Sequence, residues 1–146
     1  GDLVKQSAKQ ADLDEAFVYS VMRTESHFRP EIESYANAIG LMQLTPDTYH
    51  WLCFKLGHEE GDLSDVDTNL YYGCANLALL LSEFSDLPTA LAAYNAGPAR
   101  VRDWLADTRY SKDGHTLSHV PYPETRTHTR RVMLYSQIYR LLYGLS

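Results

Sequence analysis

The stretch RTESHFRPEIESYANAIGLMQ, residues 23–43, joins the end of an apolar helical segment to an irregular polar loop. It carries Glu25 at the end of the helical run and a Gly-Leu-Met-Gln turn at residues 40–43. Catalytic residues are often on loops that a rigid scaffold positions, so this arrangement is typical of a functional site. Many glutamates at helix ends are simply exposed to water and have no catalytic role. Apolar neighbours, however, favour the neutral form of a carboxyl group. Glu25 is therefore the first candidate for a general acid.

Helical signals extend outward from this stretch in both directions. Upstream, apolar residues recur at helical spacing and predict a helix over residues 15–26. Pro30 ends any continuation, because proline cannot extend a helix interior. Downstream, Thr45 and Pro46 predict the N-cap and first position of the next helix, and Gly57 predicts its end.

The remaining signals also predict helices. Residues 2–10 form a short helix, Asp67 caps a long leucine-rich helix, Pro88 begins a helix that Gly97 closes, and Pro98 begins another. No stretch alternates as a strand does, and no repeat is present. The sequence therefore predicts an all-α fold.

The last helix is predicted from about Glu124 to Tyr143. Its apolar stripe is predicted at Val132, Tyr135, Ile138, Tyr139 and Leu142. Residues 107–123 come before it, and they form a segment longer than most loops of compact domains. We expect that segment to be ordered and functional.

Length and composition indicate one globular domain. A chain of 146 residues is enough for a single domain, and it has no apolar run of 18 residues that would predict a transmembrane helix. The chain begins at Gly1 within an apparent helix and shows no secretory signal. We therefore expect residues 1–146 to be a single domain excised from a longer exported protein.

Charge and cysteine content exclude some functions. The net charge of -6 argues against a general nucleic-acid binder, because such proteins neutralise phosphates with basic side chains. Cys53 and Cys74 lack the spacing of a zinc site, and we expect neither a metal nor a cofactor. Two alternatives remain for the cysteines: a disulfide between neighbouring helices, or two small buried apolar residues.

Other polar residues could line a cleft, and each also has a purely structural explanation. Tyr94 and Asn95 come just before the end of a predicted helix, where they could face a cleft or act as a buried tyrosine and a cap. Glu124 opens the last helix, where it could serve a site or only complement the helix dipole. We predict that the Gln43 amide is partly buried, and a buried amide needs hydrogen-bond partners.

Four motifs in this order resemble the soluble lytic transglycosylase domain, the lysozyme-like family that cleaves bacterial peptidoglycan. They are Glu25-Ser26 after an apolar helix, Gly-Leu-Met-Gln at residues 40–43, Ala-Tyr-Asn-Ala-Gly at 93–97 and Pro-Tyr-Pro-Glu-Thr-Arg at 121–126. Each motif alone is weak, whereas four in order at suitable spacing are specific. The resemblance covers nearly the whole chain and implies an all-α, lysozyme-like fold, as in goose-type lysozyme, with a substrate cleft.

The resemblance also implies a role for each matching residue. Glu25 matches the single catalytic glutamate, and Ser34, nine residues later, matches a serine that hydrogen-bonds near that glutamate or the substrate. The remaining matches are substrate-binding residues of the cleft: Met42, Gln43, Tyr94, Asn95 and Glu124. Of these, Glu124 matches a supporting glutamate that helps to hold the polar network of the cleft.

The chain departs from the family pattern at His128. Two residues after Thr-Arg the family usually has tyrosine, whereas this chain has a histidine. A histidine can keep a polar contact, and it adds a possible charge in the physiological pH range. The sequence leaves the role of His128 open.

The function implied by the resemblance is that of a peptidoglycan lytic transglycosylase, a lyase that acts on a polysaccharide. Such an enzyme cleaves the bond between N-acetylmuramic acid and N-acetylglucosamine without water and leaves 1,6-anhydro products. No second carboxylate obviously faces Glu25, and one glutamate that acts as acid and then base suits this chemistry. The alternatives are a goose-lysozyme-like hydrolase and a non-catalytic peptidoglycan-binding module.

The resemblance further implies that the partner is a peptidoglycan glycan strand and that the location is extracytoplasmic, in the cell envelope or secreted. We expect a monomer that binds no nucleic acid.

Overall fold

The computed structural model describes residues 1–144, and within them all regular structure is helical. The helices are α1 (Asp2–Gln10), α2 (Glu15–Ser26), α3 (Pro46–Leu56), α4 (Val66–Glu83), α5 (Leu87–Ala96), α6 (Pro98–Leu105) and α7 (Pro123–Tyr143). The predicted all-α fold is confirmed. No helix in the described range is long and apolar enough to cross a membrane.

Most helix boundaries follow the predicted caps. The Thr45 side chain accepts a hydrogen bond from the Thr48 N–H at the start of α3, and Gly57 ends that helix in the left-handed conformation. Two predicted starts are wrong by one or two residues. Asp65 rather than Asp67 caps α4, and α5 begins before Pro88, because Asp65 and Asp86, each two residues earlier, accept hydrogen bonds from the first free N–H groups.

The end of α2 is determined locally and not by Pro30. His27 adopts a left-handed conformation, with φ 52°, and its N–H donates to the Arg23 carbonyl. Phe28 also has positive φ, at 63°, so the chain turns away from the helix axis three residues before the proline. This turn leaves Glu25 in the last turn of a rigid helix, at the beginning of the loop.

Helix α7 packs along α2, but the predicted apolar stripe of α7 is wrong. Val132 is fully buried, whereas Ile138 and Leu142 are exposed. The buried face of α7 instead consists of Thr125, His128, Thr129, Val132 and Ser136. Helix α7 therefore presents polar groups to α2, and hydrophobic periodicity alone misidentified the face.

Helix α4 runs through the core, as its leucine content predicts. It contacts α1, α3 and α5, and its buried residues join three hydrophobic clusters. Cys53 and Cys74 are both buried and free, so the disulfide alternative is wrong and the alternative of small buried residues is confirmed. Burial raises the pKa of the Cys74 thiol to about 12.

The segment between α6 and α7 is ordered by its own hydrogen bonds. The Asp113 side chain accepts from the N–H groups of His115 and Thr116, both at 2.8 Å. The Ser111 hydroxyl donates to the Thr116 carbonyl at 2.8 Å, and the Leu117 N–H donates to the Thr89 hydroxyl at 3.2 Å. The predicted order of this segment is confirmed, and it fixes the entry of the chain into α7.

Candidate active site

A cavity of about 340 Å³ opens where the end of α2 meets the loop after it, the end of α5 and the start of α7. Six of the residues singled out in the sequence line it: Glu25, Ser34, Gln43, Tyr94, Asn95 and Glu124. The rest of the lining adds no third carboxylate and consists of Tyr35, Ala36, Ala38, Leu44, Thr45, Thr48 and Asn76. Residues distant in the sequence thus converge on one concave surface.

Glu25 is held on the rigid end of α2 with its side chain 13% exposed. The Ser26 hydroxyl donates to the Met22 carbonyl at 3.0 Å, and the Thr24 hydroxyl donates to the Ser20 carbonyl at 2.8 Å. These bonds fold the Thr24 and Ser26 side chains back onto carbonyl groups of the preceding turn of α2. The carboxyl group therefore reaches the cavity from an ordered backbone.

His128 contacts Glu25 directly. Its Nε2 atom lies 3.0 Å from Glu25 Oε2, and its side chain is 7% exposed. The other ring nitrogen, Nδ1, is buried and has no hydrogen-bond partner among residues 1–144. The position that departs from the family pattern thus lies against the candidate catalytic residue.

Tyr94 connects α5 to the turn at residues 40–43. Its hydroxyl donates to the Met42 carbonyl at 2.5 Å. Burial raises the pKa of the Tyr94 hydroxyl well above its ordinary value, and the nearby Glu25 carboxylate raises it further. Tyr94 is therefore a neutral hydrogen-bond donor beside Glu25.

Met42 is the one sequence-predicted site residue that does not line the cavity. Its side chain is fully buried in the main hydrophobic cluster, and a Cβ atom at Gly73 of α4 would collide with it. In this structure Met42 therefore reaches the site only through its backbone, as the acceptor for Tyr94. The side chain serves to anchor the turn on α4.

Asn69, which the sequence analysis missed, holds the same turn. It is 1% exposed, its Oδ1 accepts from the Met42 N–H at 2.8 Å, and its Nδ2 donates to the Ile39 and Leu63 carbonyls. A Cβ atom at Gly40 would lie 2.7 Å from the Asn69 Cγ, so the turn needs glycine there. The available signal was a polar residue in a leucine-rich helix, because buried amides need partners.

Gln43 and Ser34 both stabilise the loop that forms the cavity wall. The Gln43 amide donates to the Ile32 and Gly40 carbonyls at 3.1 and 2.9 Å, which satisfies the predicted need for partners. The Ser34 hydroxyl accepts from the Ala38 N–H at 3.1 Å, so its hydrogen bond is to the loop and not to Glu25. Both side chains still border the cavity.

Asn95 and Glu124 occupy the opposite wall. The Asn95 Oδ1 atom accepts from the Thr125 hydroxyl at 2.7 Å, which joins the end of α5 to the first turn of α7. Glu124 is exposed in that first turn, where its charge complements the helix dipole. Thr125 is fully buried and is a second support that the sequence analysis missed.

A second cavity, of about 380 Å³, extends the site along α3 and α4. It shares Thr48, Asn76 and Tyr94 with the cavity around Glu25, so the two are contiguous. Trp51 also lines it and is 49% exposed. The combined groove offers an aromatic face at one side.

Sequence comparison places these features among murein-cleaving proteins. Residues 2–117 match the family model described as the transglycosylase SLT domain. The soluble lytic murein transglycosylase of Escherichia coli (strain K12) is 32% identical over 98% of this chain, which spans 23% of that protein. The membrane-bound lytic murein transglycosylase C of Mannheimia succiniciproducens is 35% identical over 75% of the chain, which covers 34% of it.

Solved structures with the same fold are also lytic transglycosylases. The 70 kDa soluble lytic transglycosylase of Escherichia coli aligns over 98% of this chain with a TM-score of 0.84 and 29% identity. An inactive glutamate-to-glutamine mutant of lytic transglycosylase Slt from Pseudomonas aeruginosa aligns over 96% with a TM-score of 0.81 and 34% identity. The chain covers 24% of each of these structures.

Proposed function

The chain belongs to the transglycosylase SLT domain family, and from this membership we propose that it is a peptidoglycan lytic transglycosylase in which Glu25 is the single acid and base. The substrate is the β-1,4 bond from N-acetylmuramic acid to N-acetylglucosamine. The products carry 1,6-anhydro-N-acetylmuramic acid, and no water is consumed.

The position of Glu25 is the observation that carries this proposal. Its carboxyl group is largely shielded from solvent at the wall of a groove, and a buried histidine contacts one of its oxygens. Glu124, the other carboxylate of the cavity, is exposed in a helix first turn. Because of this difference in exposure, we assign the proton transfers to Glu25 and none to Glu124.

The reaction requires Glu25 to give up one proton and then to take up another. Glu25 donates its proton to the glycosidic oxygen as the bond from C1 to that oxygen breaks, and the N-acetyl carbonyl oxygen of the same muramoyl residue attacks C1. The C6 hydroxyl oxygen then attacks C1 and displaces the N-acetyl oxygen. Its proton passes to the Glu25 carboxylate, which restores the acid.

The other lining residues have supporting roles in this proposal. The neutral hydroxyl of Tyr94 and the amides of Gln43 and Asn95 border the space that the N-acetyl group would occupy. Ser34 supports the loop that shapes this space. Restricting the N-acetyl group near C1 lowers the entropy loss of the intramolecular attack.

The substrate and location of the whole protein follow from the same reasoning. Glycan strands of peptidoglycan are the proposed partner, because the groove continues past Glu25 along α3 and α4. The cell envelope is the proposed location, since the relatives are named as soluble and membrane-bound murein transglycosylases. Residues 1–146 are proposed to act as a single catalytic domain and as a monomer.

The decisive experiment is mass spectrometry of purified peptidoglycan digested with this protein. We expect muropeptides with 1,6-anhydro ends. Reducing-end products alone would replace the proposal with a goose-lysozyme-like hydrolase. Zymography in a peptidoglycan gel tests the remaining alternative, because binding without a cleared band would indicate a non-catalytic module.

A further inference from the structure

His128 is a buried titratable residue to which the proposed reaction so far gives no part. It lies in α7, and the only hydrogen-bond contact of its side chain within residues 1–144 is between Nε2 and Glu25 Oε2 at 3.0 Å. Its side chain is 7% exposed, so bulk water does not replace the missing partner at Nδ1. The two ring nitrogens thus have very different surroundings.

These surroundings select one protonation state of the imidazole. A neutral ring with its proton on Nε2 donates to Glu25 and leaves only an acceptor without a partner at Nδ1. A proton on Nδ1, in the other tautomer or in the imidazolium, would bury a donor without an acceptor, which is unfavourable. The hydrogen-bond geometry therefore favours the tautomer with the proton on Nε2.

We propose that His128 is the positioning residue for Glu25, and that it donates from Nε2 to Oε2 throughout the reaction. This inference rests on the proposed function of Glu25. Oε2 can accept this hydrogen bond both as the carbonyl oxygen of the acid and as an oxygen of the carboxylate. The exchangeable proton is therefore confined to Oε1, the oxygen left free to face the substrate.

The charged groups around His128 determine which residue a charge on its ring would affect. His128 contacts Glu25 of α2, and the neutral hydroxyl of Tyr94 of α5 lies beside Glu25. On α7 itself, Glu124 lies one turn before His128. Arg23 of α2 is directed elsewhere, over the ring of Tyr135 at 4.5 Å. An imidazolium would thus act mainly on Glu25, where it would favour the carboxylate and remove the acid.

Three substitutions of His128 test the inference, with turnover of a defined muropeptide tetrasaccharide as the assay. His128→Phe keeps a ring but removes the donor, and we expect kcat to fall roughly 10- to 100-fold while KM stays within about twofold. His128→Gln and His128→Tyr restore an N–H or O–H donor and should recover most of the lost kcat. His115→Phe, at an exposed histidine, is the matched control.

The pH dependence of kcat separates positioning from a purely structural role. The pH profile of the wild type should differ from those of the Gln and Tyr variants, because only histidine places an ionisable ring against Glu25. Melting temperatures identify any variant that does not fold. Unchanged kcat and pH profile in a folded His128→Phe would overturn the inference, and so would folded Gln and Tyr variants as inactive as the Phe variant.

Nitrogen NMR of the imidazole tests the inference without any catalysis. We expect the Nε2–H tautomer at neutral pH in the wild type. An Nδ1–H tautomer or an imidazolium would overturn the role of His128 even in an active enzyme. Conversely, a wild type that yields no anhydro products would overturn the proposed function, while the NMR result still decides which atom donates to Glu25.

Discussion

The Nε2 atom of His128 lies 3.0 Å from the Oε2 atom of Glu25, although the two residues are 103 positions apart in the chain. The contact exists because α7 packs along α2 with a polar face. In the proposed mechanism, Oε1 of Glu25 is the carboxyl oxygen that faces the substrate. Around this pair, Tyr94 and Asn95 are fixed by hydrogen bonds to Met42 and Thr125.

Glu25→Gln should abolish cleavage while the fold is retained. Glutamine keeps the size of the side chain and can still contact His128, but it cannot transfer a proton. General acid–base catalysis contributes about 10²- to 10⁴-fold, so we expect activity to fall by at least that range. The measurement is release of anhydro-muropeptides, with circular dichroism as the test of folding.

Glu31→Gln is the matched control for Glu25→Gln, because Glu31 is an exposed glutamate on the loop after α2. Cleavage by Glu31→Gln should equal that of the wild type. Substantial residual cleavage by folded Glu25→Gln would show that another group supplies the proton.

Glu124→Gln distinguishes the lytic transglycosylase from a hydrolase with two carboxylates. In the proposed mechanism Glu124 transfers no proton, and its exposed charge only borders the cavity. We expect kcat to fall less than roughly tenfold, equivalent to an interaction of about 1 kcal/mol. Mass spectrometry should still find anhydro ends. A loss as large as that of Glu25→Gln would instead assign Glu124 a direct part in bond cleavage.

Tyr94→Phe should reduce stability as well as activity. The substitution removes the hydroxyl that donates to the Met42 carbonyl and leaves that buried acceptor without its partner. We expect the free energy of unfolding to fall by about 1–3 kcal/mol in urea denaturation. Tyr143→Phe, at a tyrosine that is 66% exposed, should leave the free energy of unfolding unchanged. Equal effects at the two positions would contradict a structural role for the Tyr94 hydroxyl.

Gly73→Ala should destabilise the protein although alanine is the better helix former. An added methyl group at Gly73 would collide with the Met42 side chain, which is fully buried. Overpacking of a core costs about 1–3 kcal/mol, against a gain in helix propensity of about 1 kcal/mol. We therefore expect a net loss of unfolding free energy. A net gain would mean that the Met42 side chain moves aside without strain.

Gly61→Ala provides the comparison for that substitution. A Cβ atom there meets only the Tyr49 hydroxyl, at an ordinary contact distance of 3.8 Å. Thermal unfolding of the two variants should therefore separate the collision at Gly73 from a general effect of replacing glycine. We expect the melting temperature of Gly61→Ala to remain close to that of the wild type.

The sequence predicted most helix boundaries because caps act locally. Thr45 and Gly57 determine the ends of α3 through bonds to residues within one turn, and those bonds do not depend on the rest of the fold. The shifts at Asp65 and Leu87 are also local. Asp65 and Asp67 are both possible caps for α4 and only the geometry selects Asp65, whereas Asp86 caps α5 and makes Pro88 its second residue. The apolar stripe of α7 was misidentified because periodicity does not reveal that a polar face packs on α2.

Within the site, the sequence by itself determined which residue types are present and in what order, from Glu25 to Glu124. Tertiary structure alone decided that Met42 is buried, that Asn69 and Thr125 support the walls, and that His128 contacts Glu25. The physical reason is the range of the interactions. Capping bonds and turns join near neighbours, whereas the hydrogen bonds of the cavity join separate helices and form only after those helices have packed.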